Sequence, residues 1–120
     1  MSFLKAFSTL LLKFNDELIE LFPEETEFNT LKTAIELVKK TNPRLMVEIF
    51  NSYIKLWKTQ ILNRDESFFM VNSYDELTQG DDYFKTLIER LKKHWGTLSE
   101  NNKNSIWKYL ETLIKISEKC

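Results

Sequence analysis

The chain has 120 residues, 42% hydrophobic and 29% charged, with two glycines, two prolines and a formal net charge of -1. That balance fits one folded, soluble domain over residues 1–120 and excludes a disordered chain. So little glycine and proline excludes turn-rich sandwiches and barrels, glycine-rich phosphate loops and collagen-like chains, and the near-zero charge argues against a wholesale polyanion binder.

Residues 3–22 are rich in Phe, Leu and Ile. A signal peptide or membrane span is ruled out by Lys5, Lys13, Asp16, Glu17 and Glu20, because a charge near mid-bilayer costs about 2.5–3.5 kcal/mol. The same residues fit an amphipathic helix with a wide apolar face, opened by Ser2 as N-cap and stopped at Pro23. Pro23 is expected in the first turn of a second helix, with Glu24, Glu25 and Glu27 at its electropositive start. Phe28, Leu31, Ala34, Ile35 and Val38 form its apolar stripe, and Lys39 and Lys40 close it before the Asn42-Pro43 turn.

A third helix is predicted over 43–62, with Met46, Ile49, Phe50, Tyr53, Ile54, Trp57 and Ile61 on its inner face. The pattern breaks over 63–82, where short helical turns at 65–70 and 73–78 are expected. A fourth helix over 82–95 carries Phe84, Leu87, Ile88, Leu91 and Trp95, with Gly96 as its C′ residue. Ser99 caps a fifth helix bearing Ile106, Trp107, Leu110, Leu113 and Ile114. The expected fold is all-α: a compact bundle of about five helices with an irregular acidic segment between helices three and four.

The small net charge hides an uneven distribution. Residues 43–64 carry +3, residues 65–84 carry -6, and residues 85–120 carry +4. The acidic segment is expected to pack near the basic helices. Glu36/Lys40, Glu89/Lys93 and Glu111/Lys115 have the spacing and order of helical i,i+4 pairs.

Catalytic patterns are nearly absent. The sequence has no dinucleotide or phosphate-loop fingerprint, no nucleophile elbow and no His-Glu-x-x-His. His94 is the single histidine and Cys120 the single cysteine, so neither a disulfide nor a zinc set of Cys and His can form. A Cys120/His94 nucleophile–base pair is conceivable on chemistry alone. His94 is instead expected to cap carbonyls or lie exposed at a helix end. The acid pairs Asp65-Glu66, Asp75-Glu76 and Asp81-Asp82 lack the spacing of a calcium loop and read as helix caps. No metal and no cofactor are expected. One lone cysteine points to a reducing, intracellular compartment.

Two surfaces remain. Phe68, Phe69, Met70 and Val71, with Tyr74, form an apolar run inside the acidic stretch, too continuous for one face of a short helix. The bland reading makes it a lid on the core, and the functional one makes Phe68, Phe69, Met70 and Tyr74 a partner-binding patch. Lys85, Arg90, Lys92 and Lys93 could instead contact phosphates, although arginine supplies only three of the seventeen bases. Trp57, Trp95 and Trp107 fall on apolar faces and are expected in the core.

Residues 14–24 form an aromatic helix ending in Phe22-Pro23-Glu24, and 61–69 read Ile-Leu-Asn-Arg-Asp-Glu-Ser-Phe-Phe. Residues 98–110 run Leu98-Ser99-Glu100 through Ile106-Trp107-Lys108-Tyr109-Leu110. Together these stretches resemble a group of small helical proteins encoded by large nucleocytoplasmic DNA viruses. The resemblance covers most of the chain and is sharpest over 98–110. It implies a viral source but transfers no activity or catalytic residue. The resulting expectation is a non-enzymatic viral protein that binds another protein, viral or host, as a virion component or host-directed adaptor. It would act in the host cytoplasm or virion, away from membranes. A nucleic-acid accessory protein using helices 85–119 is the alternative, and self-association into a homo-oligomer is a further option.

Overall fold

The computed structural model describes residues 2–66 and 90–120, and of residues 53–57 the backbone alone. These residues fold into four α-helices: α1 (Phe3–Leu21), α2 (Glu27–Thr41), α3 (Pro43–Leu62) and α4 (Glu100–Ser117). Residues 90–94 are also helical and run into a 3-10 turn, Trp95–Thr97. Among the described residues there is no strand, and the all-α bundle read from periodicity is the fold.

Local chemistry sets the helix ends. Ser2 Oγ accepts from the Lys5 amide at 3.3 Å, and Ser99 Oγ accepts from the Asn102 amide at 3.2 Å, each supplying an acceptor to an otherwise unpaired N–H. Pro43 opens α3 at a position where its missing N–H costs nothing. α3 closes differently. The Arg64 amide donates to the Ile61 carbonyl and the Asp65 amide to the Gln60 carbonyl, with Arg64 itself at φ 51°. This is a Schellman closure with arginine where glycine is usual.

The helix seams are legible from cross-contacts. Lys32 meets Asp16 at 3.1 Å, and Lys39 reaches Thr9 at 3.5 Å, so α1 and α2 run antiparallel. Phe14 stacks on Tyr109 at 5.1 Å while Lys119 lies over Phe3 at 5.9 Å, so α1 and α4 are antiparallel too. Lys58–Glu118 and Arg64–Glu111 impose the same relation on α3 and α4. One core joins all four helices and the 90–95 stretch. It contains Phe7, Leu11, Phe14 and Leu18 of α1, Phe28 and Ile35 of α2, Met46, Phe50 and Ile61 of α3, Leu91 and Trp95, and Ile106, Trp107 and Leu110 of α4. Each fully buried side chain of this size contributes about 1.5–3 kcal/mol by leaving water. Trp95 and Trp107 meet edge to face at 5.3 Å, as core residues; the side chain of Trp57 lies outside the description.

Several local expectations are corrected. Pro23 lies in a turn outside α2, because Phe22 leaves the helical region (φ -129°, ψ 66°) and α2 begins only at Glu27, after Thr26. Glu24 and Glu25 therefore sit in the connection, and only Glu27 occupies the first turn. Gly96 is not a left-handed C′ residue: it lies within the Trp95–Thr97 turn. Glu111 turns to Arg64, just past the end of α3, where a two-pronged geometry outcompetes a flexible intrahelical lysine. Lys93 reaches Glu25, and its expected partner Glu89 lies outside the described residues. The short turns expected at 73–78, and the part of the fourth helix before residue 90, lie outside the described residues.

Candidate functional site

Of the residues singled out for function, Phe68, Phe69, Met70, Tyr74 and Lys85 lie outside the described residues. Arg90, Lys92 and Lys93 are described. Arg90 reaches Glu25 at 3.6 Å and Glu27 at 3.8 Å, and Lys93 reaches Glu25 at 3.5 Å. His94 neither caps carbonyls nor lies free. Its Nε2 is 2.9 Å from Glu25, and its ring stacks on Phe22 with centroids 4.5 Å apart. The Glu25 side chain is only 12% exposed. Its carboxyl is held below the usual 4.5, chiefly by the His94 hydrogen bond and then by the Lys93 and Arg90 charges, with burial opposing.

Arg90, Lys93 and His94 thus clamp the 90–94 stretch to the turn between α1 and α2. A cleft of about 440 Å³ opens beside them, lined by Phe22, Pro23, Glu25, Lys93 and His94. Its half-buried acid, Glu25, is already committed to internal partners. Two of the four bases expected on a nucleic-acid face are turned to carboxylates of the same chain.

Other chemistry is similarly occupied. Glu66 accepts from the Trp95 indole at 2.9 Å and pairs with Lys103 at 2.9 Å; these hydrogen bonds hold its carboxyl below the usual range. This part of the acidic segment does pack on basic residues. Cys120 Sγ donates to the Ile116 carbonyl at 3.5 Å, and burial pushes the thiol above its ordinary range, away from thiolate character. Cys120 and His94 have separate partners and form no pair. Among the described residues no group of three or more His, Cys, Asp or Glu is placed to hold a metal ion. No described helix is long and apolar enough to cross a membrane.

A larger and more apolar recess lies elsewhere among the described residues, on the outer seam of α1 and α4. Two adjoining hollows of about 590 and 340 Å³ share Leu10, Lys13 and Thr112. Ala6, Leu10 and Ile116 supply the apolar floor, with Thr9 and Thr112 beside them. Lys5, Lys13 and Lys108 stand along the walls, and Tyr109 and Glu17 close the far end. Tyr109 is raised above its ordinary pKa by burial first, then by the Glu17 charge and hydrogen bond.

Spacing explains the groove. Phe7, Leu11, Phe14 and Leu18 take the inner face of α1. Phe3, Ala6, Leu10 and Lys13 recur at three- and four-residue steps on the adjoining face. The wide apolar face of the first helix carried this signal, because part of it exceeds what the core can cover. No pattern in sequence could show that Thr112 and Ile116, a hundred residues away, complete the trough.

An uncharacterised protein of African swine fever virus is 30% identical to this chain over 78 residues, which are 65% of this chain and 59% of the viral protein. The match therefore spans somewhat more than half of that relative's length. The chain resembles an uncharacterised protein of a large DNA virus, in line with the viral resemblance read from 98–110. No family model matches the chain, and no solved structure matches it.

Proposed function

We propose that this chain is a non-enzymatic viral protein that works by binding another protein, through the groove between α1 and α4. The observation that carries the reading is the groove itself: an apolar floor of Ala6, Leu10 and Ile116 left open between two packed helices. Such troughs are filled by helices of partners, which supply the apolar side chains that the floor lacks. The likeness to a viral protein supports the source, and the open apolar surface supports the role.

The nucleic-acid reading has less support. It needs Arg90 and Lys93 free for phosphate, and both are engaged with Glu25.

Photo-crosslinking tests the proposal. A crosslinkable residue at Thr112 should capture a discrete protein in cells producing the chain, and one at Leu37, exposed on α2, should not. Adducts with nucleic acid, or equal capture at both positions, would refute it.

A further inference from the structure

The groove has a charge pattern as well as an apolar floor. Lys5, Lys13 and Lys108 line it, Lys39 reaches in from α2 to Thr9, and Lys119 lies over the half-exposed ring of Phe3 at the open end. The lone acid of the lining is Glu17, which faces Tyr109. Elsewhere several bases meet an acid: Lys32 with Asp16, Lys58 with Glu118, Arg64 with Glu111, Lys103 with Glu66. Among the described residues, Lys5, Lys13 and Lys108 have no such acid.

From these observations we infer that the occupant of the groove is an amphipathic helix of a partner protein whose apolar stripe is flanked by aspartate or glutamate. This rests on the groove being the binding site, as proposed above. Three features specify the ligand.

Length comes first. From Phe3 to Glu17 the trough follows α1 for about 21 Å, which a helix of about 14 residues spans. Floor chemistry comes second. Ala6, Leu10 and Ile116 ask for apolar side chains at i, i+3, i+4 and i+7, the stripe of one helix face. Wall charge comes third. Docking strips water from the lysine ammoniums, and a partner without acids leaves that loss uncompensated. Acids flanking the stripe restore the interaction and steer the encounter.

Other occupants fit less well. A second copy docked face to face sets one lysine-lined face against another, so self-association through this face is opposed. Nucleic acid finds its phosphate partners on the walls, but an apolar floor gives nothing to a sugar–phosphate chain.

Fluorescence anisotropy with the full chain and designed helical peptides of about 15 residues tests this. One peptide carries a Leu/Ile stripe flanked by Glu, a second the same stripe flanked by Lys, and a third the Glu flanks with Ser in place of the stripe. The Glu-flanked peptide is expected to bind at least about tenfold more tightly than the Lys-flanked one, with affinity falling as salt rises. The Ser peptide should not bind. Lys13→Glu with Lys108→Glu should reverse the preference between the first two. Thr112→Arg and, separately, Thr9→Arg should abolish binding, with unchanged circular dichroism and melting temperature.

Equal binding of the two striped peptides, or tighter binding of the Lys-flanked one, overturns the acidic partner and leaves the groove standing as a protein-binding site. Failure of all three peptides overturns both. Binding of duplex DNA or phosphatidylserine vesicles that competes with the Glu-flanked peptide at equal strength also overturns the inference.

Discussion

Asn15 donates its side-chain amide to the backbone carbonyl of Phe28 at 2.8 Å, from a position with no solvent exposure. The bond joins the middle of α1 to the first turn of α2 and fixes their register. Asn15 Oδ1 has no hydrogen-bond partner. Asn15→Asp places an acceptor against an acceptor, and a charge in the core. The expected loss is about 3 kcal/mol at neutral pH. Burial raises the new carboxyl's pKa, so the loss is smallest below the ordinary carboxylate value and grows as pH rises. Urea melts at several pH values measure it; a loss independent of pH contradicts the assignment.

Ser8 is a second buried polar group on α1, and its hydroxyl has no hydrogen-bond partner. A hydroxyl removed from water without a partner destabilises the fold, and alanine is nearly isosteric and a better helix former. Ser8→Ala is therefore expected to stabilise by about 1 kcal/mol, read as a raised urea midpoint with unchanged slope. Destabilisation would show that the hydroxyl is satisfied.

Glu25 is tied to His94, Lys93 and Arg90, and its carboxyl lies below the usual 4.5. A lowered folded pKa gives stability that is complete above the unfolded value and is lost as pH falls through the folded one. Glu66 behaves in the same sense through Lys103 and Trp95. Stability should thus decline with acidification beginning near pH 4.5. Glu25→Gln should lower stability at pH 7 and reduce the slope in that window, as followed by denaturation from pH 7 to pH 3. An unchanged acid limb in the variant refutes the linkage.

Arg64 combines two opposed features. Its backbone sits at φ 51°, where a side chain is strained, while its guanidinium spans Glu111 at 3.0 and 3.4 Å and Asn104 at 3.3 Å. Glycine relieves the strain and loses the bridge. Arg64→Gly should therefore change the melting temperature little in the natural chain and raise it in a Glu111→Gln background. A double-mutant cycle checks this; a lower melting temperature in that background means the strain is negligible.

Periodicity made the four described helices legible, because an apolar residue every three or four positions can be buried along one side of a helix only. α3 matches its expected bounds of 43–62, and Ser2 and Ser99 cap as read. The partner-binding patch expected at Phe68, Phe69, Met70 and Tyr74 lies outside the described residues. The groove was half legible, in the excess width of the first helix's apolar face. The role of His94 was hidden, since Phe22 and Glu25 are about seventy positions distant in the chain.

By itself, then, the sequence determined that α-helices form, where most of them end, and which stripe each one buries; these follow from backbone preferences and from contacts within one turn. Tertiary structure alone decided which charges are neutralised and which apolar residues stay uncovered. Both depend on the neighbour that packing supplies: Arg90, Lys93 and His94 meet Glu25, whereas Lys13 and Lys108 line one open hollow whose single acid, Glu17, is turned to Tyr109.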